Sequence, residues 1–452
     1  MTTQQKIQPM QLESEKSQMQ MLAETTLTLA QQGGATSASV RIGRSQGVSI
    51  EVRNGTVDTL EFNKDSGVSV TVYMGEQKGS ASTSDCSEIG LKSTVDAALA
   101  IAKFTGKDPY AGLAEPELYP TSFADLDLTH PWELSIEQFI ELAKAAESAG
   151  LILDKRIVNS DGASVSTHQS IQLHGNSLGL MGFSQGTRHS IHTVLIAEDQ
   201  HGMERDYYYS SSRNPLNLIS AEEIGKKAAQ RALARLNPGQ AKQGYFPVLF
   251  SPEVARGLIG NYLSAISGGA LYRKTSFLLD SLGQQIFPEW LNISENPHLK
   301  QGLASAIFDG DGVATNPKLF VEQGNVSSYL LSCYSARKLK TQTTGNSGGA
   351  FNVEVFGPRH EFSQLLAQIY NGLMVTEVMG QGVNLVTGDY SRGASGFWIE
   401  NGQIAFPVRG LTIAGNLKEI FKGIQALGND LDNRSSVLTG SILVDKMTVG
   451  CQ

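Results

Sequence analysis

Cysteine is scarce in this chain of 452 residues: Cys86, Cys333 and Cys451 are three, odd in number and far apart. A disulfide framework needs several paired thiols and a zinc ribbon needs closely spaced ones, so neither is written here, and a reducing cytoplasm is the expected compartment. Long apolar runs are missing too. No stretch approaches the roughly 20 residues that cross a bilayer, and the opening MTTQQKIQPMQLESEKSQMQ lacks the apolar segment of a secretory signal. A soluble, unexported protein without a membrane partner is expected. Positive charge is also limited. The 36 Lys and Arg against 44 Asp and Glu leave a formal charge of -8, with no dense basic run. Phosphate neutralisation needs a concentrated basic face, so nucleic acid is not an expected partner.

What is plentiful is glycine, 47 residues scattered among β-branched runs. This points to many turns and a strand-rich α+β protein. A first helix is expected from Glu13 to Gln32, stopped at Gly33-Gly34, where a left-handed cap suits glycine. SVRIGRSQGVSIEVRNGTVDTLEF then alternates in character and carries Asn54-Gly55, a two-residue hairpin signal. A helix near 87–104 closes this unit, and TGKDPYAGLAEPELYPTSF reads as a linker. Ser135 and Gln138 form a capping box for a second long helix, strands follow, and Ser220 and Glu223 can cap a third. The recurrence of helix and meander suggests an internal duplication. After LNPGQAKQG the remainder is strand-rich, with a hairpin expected at Asn401-Gly402.

The motifs that carry chemistry mostly fail. Gly345-Asn346-Ser347-Gly348-Gly349 fits G-x-S-x-G, but a nucleophile elbow needs a strand turning into a helix, and only His360 follows as a base. His189 and His192, with His168 and His174 one strand earlier, invite a metal reading. Positions three apart on a strand face opposite sides of a sheet, so these histidines are expected to be structural. Asp309 and Asp311 fall short of a calcium loop for want of further oxygen ligands. The glycines of MGQGVNLVTG miss the dinucleotide spacing and are expected to allow close backbone packing. Tyr207, Tyr208 and Tyr209 are a binding surface or an aromatic cluster at a sheet edge.

One stretch is conspicuous for having no chemistry at all. GLIGNYLSAISGGAL, residues 257–271, has no charge, histidine or cysteine. Leu258, Tyr262, Leu263 and Ile266 suit the apolar face of a helix, leaving Gly260, Asn261, Ser264 and Ala265 as a small neutral face.

VTEVMGQGVNLVTGDYSRGASGFWIENGQIAFPVRGLTIAGNLKEIF, GGALYRKTSFLLDSLGQQIFPEWL, SCYSARKLK and AEDQHGMERDY closely resemble the TldD/PmbA family, from about residue 20 to the end. The resemblance implies a cytoplasmic bacterial metallopeptidase, a heterodimer of a zinc-binding TldD-like subunit and a sister chain. It has been described as a modulator of DNA gyrase. Its implied work is to process peptide-antibiotic precursors and degrade small unfolded polypeptides. The implied divisions are two helix-plus-antiparallel-meander units, 13–115 and 125–238, and a strand-rich C-terminal domain, 243–452.

In the TldD-like subunit the equivalent of the blank helix carries H-E-x-x-x-H, two zinc ligands and a general base. Here those positions correspond to Gly260, Asn261 and Ala265. The partner's cysteine ligand corresponds to the region RSSVLTGSILV, 434–444, which has none. The resemblance therefore implies a chain with no catalytic residue and no metal of its own, inactive alone, that completes a substrate chamber for the zinc held by its TldD-like partner. Tyr272, Arg273, Tyr390 and Arg392 are candidates to line that chamber, or the two arginines brace turns. A non-enzymatic homodimeric binding protein is the alternative, and a homodimer of the chain alone is left open.

Overall fold

A computed structural model describes residues 8–451, so the first seven residues of the polar leader and Gln452 lie outside the described residues. The N-terminal half follows one order twice. First come helix α1 (Leu12–Gln32), strands β1 (Ser37–Arg53), β2 (Thr56–Met74) and β3 (Gln77–Thr83), and helix α2 (Glu88–Phe104). Then come α3 (Ile136–Leu151), β4 (Ile157–Asn176), β5 (Met181–Asp199), β6 (Gly202–Ser212) and α4 (Ala221–Ala234). The two sets share one six-stranded antiparallel sheet, ordered β3-β2-β1-β4-β5-β6. Its centre is the β1–β4 pairing, which runs in unbroken register from Ser39 opposite Asn176 to Val52 opposite Ala163.

The alternation along β1 decides where the helices go. Ala38, Val40, Ile42, Val48, Ile50 and Val52 are all buried on one face. Val40 and Ile42 pack against Met19 and Ala23 of α1, and Val48, Ile50 and Val52 pack against Phe139, Ala143 and Ala146 of α3. The other face carries Arg41, Gly43, Ser45, Gly47 and Ser49.

Local signals act where the sequence puts them. Asn54 and Gly55 have φ of 51° and 75°, and Asn401 and Gly402 have 50° and 74°, the left-handed pair of a type I′ turn. Ser135 and Gln138 close both halves of a capping box, and Ser220 accepts from the Glu223 N–H. The left-handed residue after α1 is Gly34 (φ 92°), not Gly33, which remains near helical values (φ -77°).

The C-terminal half begins with β7 (Gly244–Phe250), α5 (Pro252–Ala265) and α6 (Gly268–Tyr272). There follow β8 (Asn292–Glu295), β9 (Lys318–Glu322), β10 (Asn325–Val326), α7 (Cys333–Leu339), β11 (Val353–Phe356) and β12 (Arg359–His360). The chain ends through β13 (Asn371–Met379), β14 (Val383–Asn384), β15 (Asp389–Glu400), β16 (Gln403–Asn416), β17 (Ile424–Gly428), β18 (Val437–Leu438) and β19 (Ile442–Cys451). β7, β13, β15, β16 and β19 pair in sequence, and β19 pairs back to β7, so five strands close into a ring. Closure leaves those strands no free edge. Trp398, Phe250, Val248 and Val444 are fully buried in this half. β10, β9, β8, β11 and β18 form a second, small sheet. Among the described residues no helix is long and apolar enough to cross a membrane.

Candidate functional site

The blank segment is the helix α5 and the short α6 that follows it. Ser251 precedes α5 and Pro252 opens it, a position where proline's fixed φ and missing N–H cost nothing. Val254, Leu258, Ile259 and Tyr262 turn inward, and the Tyr262 hydroxyl donates to the Phe320 carbonyl at 3.1 Å. Gly260 and Asn261 are half-buried. Ala265 departs from the expectation that it shares their small neutral face: it is fully buried. Seven residues beyond Leu258, it returns to the stripe of Leu258 and Tyr262 and joins the core.

The first turn of α5 is fastened to the segment that begins at Arg434. Glu253 accepts both terminal nitrogens of Arg231 from α4, at 2.8 and 2.9 Å. It also accepts Arg434 at 2.5 Å, while Arg434 holds Asp432 at 2.7 Å. Arg256, one turn along α5, lies 3.6 Å from Asp432 and donates to the Tyr209 hydroxyl at 3.0 Å. Asp206 of β6 binds Arg231 and Arg235. Burial pushes the Glu253 carboxyl up, but the two arginines outweigh it and hold it below its ordinary value. The guanidinium of Arg434 also stacks 4.6 Å from the ring centres of Tyr208 and Tyr209. The tyrosine run is thus an aromatic cluster at a sheet edge, built into the junction between the two halves. Asp206, Arg231, Glu253, Asp432 and Arg434 carry this junction, and no local spacing in the sequence announces them.

A larger space lies between the six-stranded sheet and the C-terminal half. This cavity, about 1390 Å³, is lined by Arg41 of β1, Gln172 and His174 of β4, the stretch 123–129, and the loop 305–310. Arg41 and His174 are register partners, and Arg41 donates to the Gly310 carbonyl. Burial lowers His174 to about 4 and raises Asp309 to about 6. None of the four chamber candidates is among its lining residues. Tyr272 is half-buried with its ring 5.7 Å from that of Tyr334, and Arg273 lies exposed over the Tyr272 ring. Arg392 donates to the Met379 carbonyl at 3.1 Å, bridging β15 to the end of β13. Tyr390, on β15, is only 3% exposed and packs into the hydrophobic core, where the expectation was a side chain lining a chamber.

The remaining motifs resolve into scaffold. The Ser347 hydroxyl donates to Asp311 at 2.9 Å, in a loop between α7 and β11, while His360 belongs to β12. Asp309 accepts the N–H groups of Asp311, Val313 and Ser347, so its oxygens brace a turn. His189 is fully buried between the Thr167 hydroxyl and the His130 carbonyl. His192 faces the other side of the sheet, against Tyr207. Around Gly382 the backbone is so close to Ser391 that a Cβ would fall 1.6 Å from its carbonyl oxygen. The stretch 108–115 is pinned, because Arg337 of α7 donates to the carbonyls of Tyr110, Gly112 and Leu113.

The family implies zinc at the α5 helix, and the residues there do not fit it. Gly260 and Ala265 have no donor atom, Asn261 has a neutral amide, and 434–444 has neither thiol nor imidazole. Among the described residues no group of three His, Cys, Asp or Glu side chains is arranged to hold a metal.

The chain is thus an α+β protein in which two α-β-β-β-α sets share one sheet and a closed ring of five strands follows. Residues 38–102, 129–236 and 243–451 match domain 1, the central domain and the C-terminal domain of the PmbA/TldA metallopeptidases. The chain is 45% identical to the metalloprotease PmbA of Escherichia coli O157:H7, over 98% of each sequence. It is 43% identical to the PmbA homolog of Haemophilus influenzae, over 97% of each. The chain belongs to the PmbA/TldD metallopeptidase family. A TldD homolog from Buchnera aphidicola is more distant, 21% identical over 84% of this chain and 82% of that protein. In solved structures the fold resembles a Bacteroides thetaiotaomicron protein described as a candidate modulator of DNA gyrase, with TM-score 0.91 and 27% identity over 96% and 99% of the two chains. It also resembles TldE from Thermococcus kodakarensis, with TM-score 0.83 and 20% identity over 95% and 100%.

Proposed function

We propose that this chain is the TldE-like, non-zinc-binding subunit of a heterodimeric TldD/TldE metallopeptidase of the cytoplasm. It completes the chamber in which a TldD-like partner cleaves small unfolded peptides, such as peptide-antibiotic precursors, and it is inactive alone. One observation supports the reading: buried ion pairs hold the first turn of α5 in place, while the positions that the family resemblance assigns to zinc, Gly260, Asn261 and Ala265, carry no imidazole, thiol or carboxylate. Glu253–Arg434 ties α5 to the start of the 434–444 segment and Arg256–Asp432 ties it to the residues just before; the Glu253 carboxylate is taken up by Arg231 and Arg434, and 434–444 has no His, Cys, Asp or Glu. A frame held by buried ion pairs costs desolvation, and a role in shaping a partner's site accounts for its retention. The cavity beneath the polar face of the sheet supplies room for an extended peptide, whose backbone suits sequence-tolerant hydrogen bonding.

The test measures zinc content and peptide cleavage for this chain alone and mixed with the TldD-like protein of the same organism. Zinc and cleavage appearing only in the mixture, in a stoichiometric complex, support the reading. Cleavage or stoichiometric zinc in the isolated chain overturns it. Failure to form any hetero-complex overturns it in favour of a homodimeric binding protein.

A further inference from the structure

The polar face of the six-stranded sheet carries one row that crosses four strands. Ser82 of β3 is the register partner of Ser69 of β2, Ser69 is that of Arg41 of β1, and Arg41 is that of His174 of β4, so the four side chains stand on one face. All four line the cavity. The row continues to Gly182 of β5, opposite His174. A Cβ at Gly182 would fall 2.7 Å from the Phe308 ring, so the missing side chain is what lets that ring lie on the sheet. Phe123 meets Phe308 edge-on, with 6.2 Å between ring centres. The row therefore runs from hydroxyls, through a cation and an imidazole, to an aromatic wall.

Its polar groups are uncommitted. His174 is only 8% exposed, yet its ring has no hydrogen-bond partner among the described residues, and neither have the Ser69 and Ser82 hydroxyls. A buried polar group without a partner costs free energy that a ligand removes. Arg41 reaches the Gly310 carbonyl and, among the described residues, pairs with no carboxylate. The other charges of the lining are engaged. Lys16 pairs with Glu13, Asp127 takes Gln301 and His130, Asp125 accepts the Asp127 N–H, and Asp309 accepts three N–H groups. A guanidinium with N–H groups to spare presents a planar fork that matches a carboxylate. Burial and the Arg41 charge keep the neighbouring His174 neutral, so its ring brings a hydrogen bond and no second charge.

We infer that this row is a subsite for the C-terminal residue of a peptide: Arg41 and the two serines hold its carboxylate, His174 accepts its N–H, and Phe308 packs on its apolar side chain. β1 and β5 lie two strand spacings apart, about 10 Å, which one residue bridges between a guanidinium and a ring. Terminal carboxylate capture gives affinity for chain ends without reading the sequence behind them. The inference rests on the reading of this cavity as part of a peptide chamber.

Fluorescence anisotropy tests it on the full chain, with a labelled unstructured peptide ending in leucine. The free acid should bind about tenfold or more tightly than the same peptide amidated at its C-terminus, because the amide forfeits a charge-assisted bond. Arg41→Gln should weaken the free acid about tenfold and leave the amide unchanged, and Arg41→Lys, which keeps the charge, should fall between. Phe308→Ala should erase the preference for leucine over glycine at the last position. Arg41 is exposed, so both of its variants should melt as the parent does. No binding of the free acid, equal binding of acid and amide, or an Arg41→Gln protein that treats the two alike overturns the inference. So does an amidated peptide with an internal glutamate that binds as the free acid does, since a side-chain carboxylate is then what the site reads. The mixture with the TldD-like chain separates the two readings. Arg41-dependent binding without any hetero-complex overturns the subunit reading alone, and a cleaving complex indifferent to the terminal carboxylate overturns the subsite alone.

Discussion

Replacing Ala265 by histidine, the change that would restore the second imidazole of a zinc helix, is expected to destabilise the protein and not to recruit metal. Ala265 is fully buried among the side chains of the C-terminal core, and the Ser276 hydroxyl donates to its carbonyl at 2.6 Å. An imidazole ring forced into that space overpacks it, at a cost of about 1–3 kcal/mol. Its ring nitrogens gain no partner there, which adds about 1–3 kcal/mol more. The sum, about 2–6 kcal/mol, should appear in urea unfolding as a lower midpoint at unchanged slope. Gly260→Ala makes the contrast. A Cβ at Gly260 meets nothing within 4 Å, so the same assay should show about 0.5–1 kcal/mol of stabilisation from helix propensity alone. An Ala265→His protein that unfolds at the parental midpoint would refute the argument that this position has been given over to the core.

Three further outcomes are expected. Glu253→Gln leaves Arg231 and Arg434 short of a buried carboxylate and should cost about 3 kcal/mol; a midpoint unchanged in chemical denaturation would show that the junction is not held there. His174 is held near 4 in the fold against an ordinary 6.5, so its contribution is intact above pH 6.5 and is lost as pH falls from 6.5 toward 4, by up to about 3 kcal/mol. Asp309, raised to about 6, slopes the other way in both proteins, so the parent should be compared with His174→Gln. The variant should gain on the parent as the solution is acidified, and a pH-independent difference would count against a neutral His174. Ser347→Ala removes the bond to Asp311 and should cost about 1 kcal/mol, without slowing any peptide cleavage measured in the mixture with the TldD-like chain. A large loss of turnover at unchanged stability would reinstate Ser347 as a catalytic residue.

The parts of the fold legible in the sequence are those decided over a few residues. Asn54-Gly55 and Asn401-Gly402 take the left-handed φ that only such pairs take readily. Ser135 and Gln138 cap a helix because four adjacent N–H groups need acceptors. The joining of the two N-terminal units was not legible. β1 finds β4 across more than 100 residues of chain, and alternation within β1 says that one face is buried without saying which strand lies beside it. The ring closes through β7 with β13 and β19 for the same kind of reason.

The candidate site divides along the same line. That Gly260, Asn261 and Ala265 bring no imidazole, thiol or carboxylate to α5 is readable from the letters. That Ala265 has left the site face is not, because its stripe depends on which of several small residues meets the core. The clamp was illegible for a different reason. Glu253 and Arg434 are 181 positions apart, and neither has a motif, since an ion pair demands only opposite charges brought within reach. Yet the clamp is what gives the blank helix its meaning. If α5 were simply an abandoned catalytic helix, nothing would favour keeping its first turn locked to the 434–444 segment through buried carboxylates that cost desolvation. Its placement is held by five charged side chains, Asp206, Arg231, Glu253, Asp432 and Arg434, and under the proposed function that placement is what the partner's site leans on.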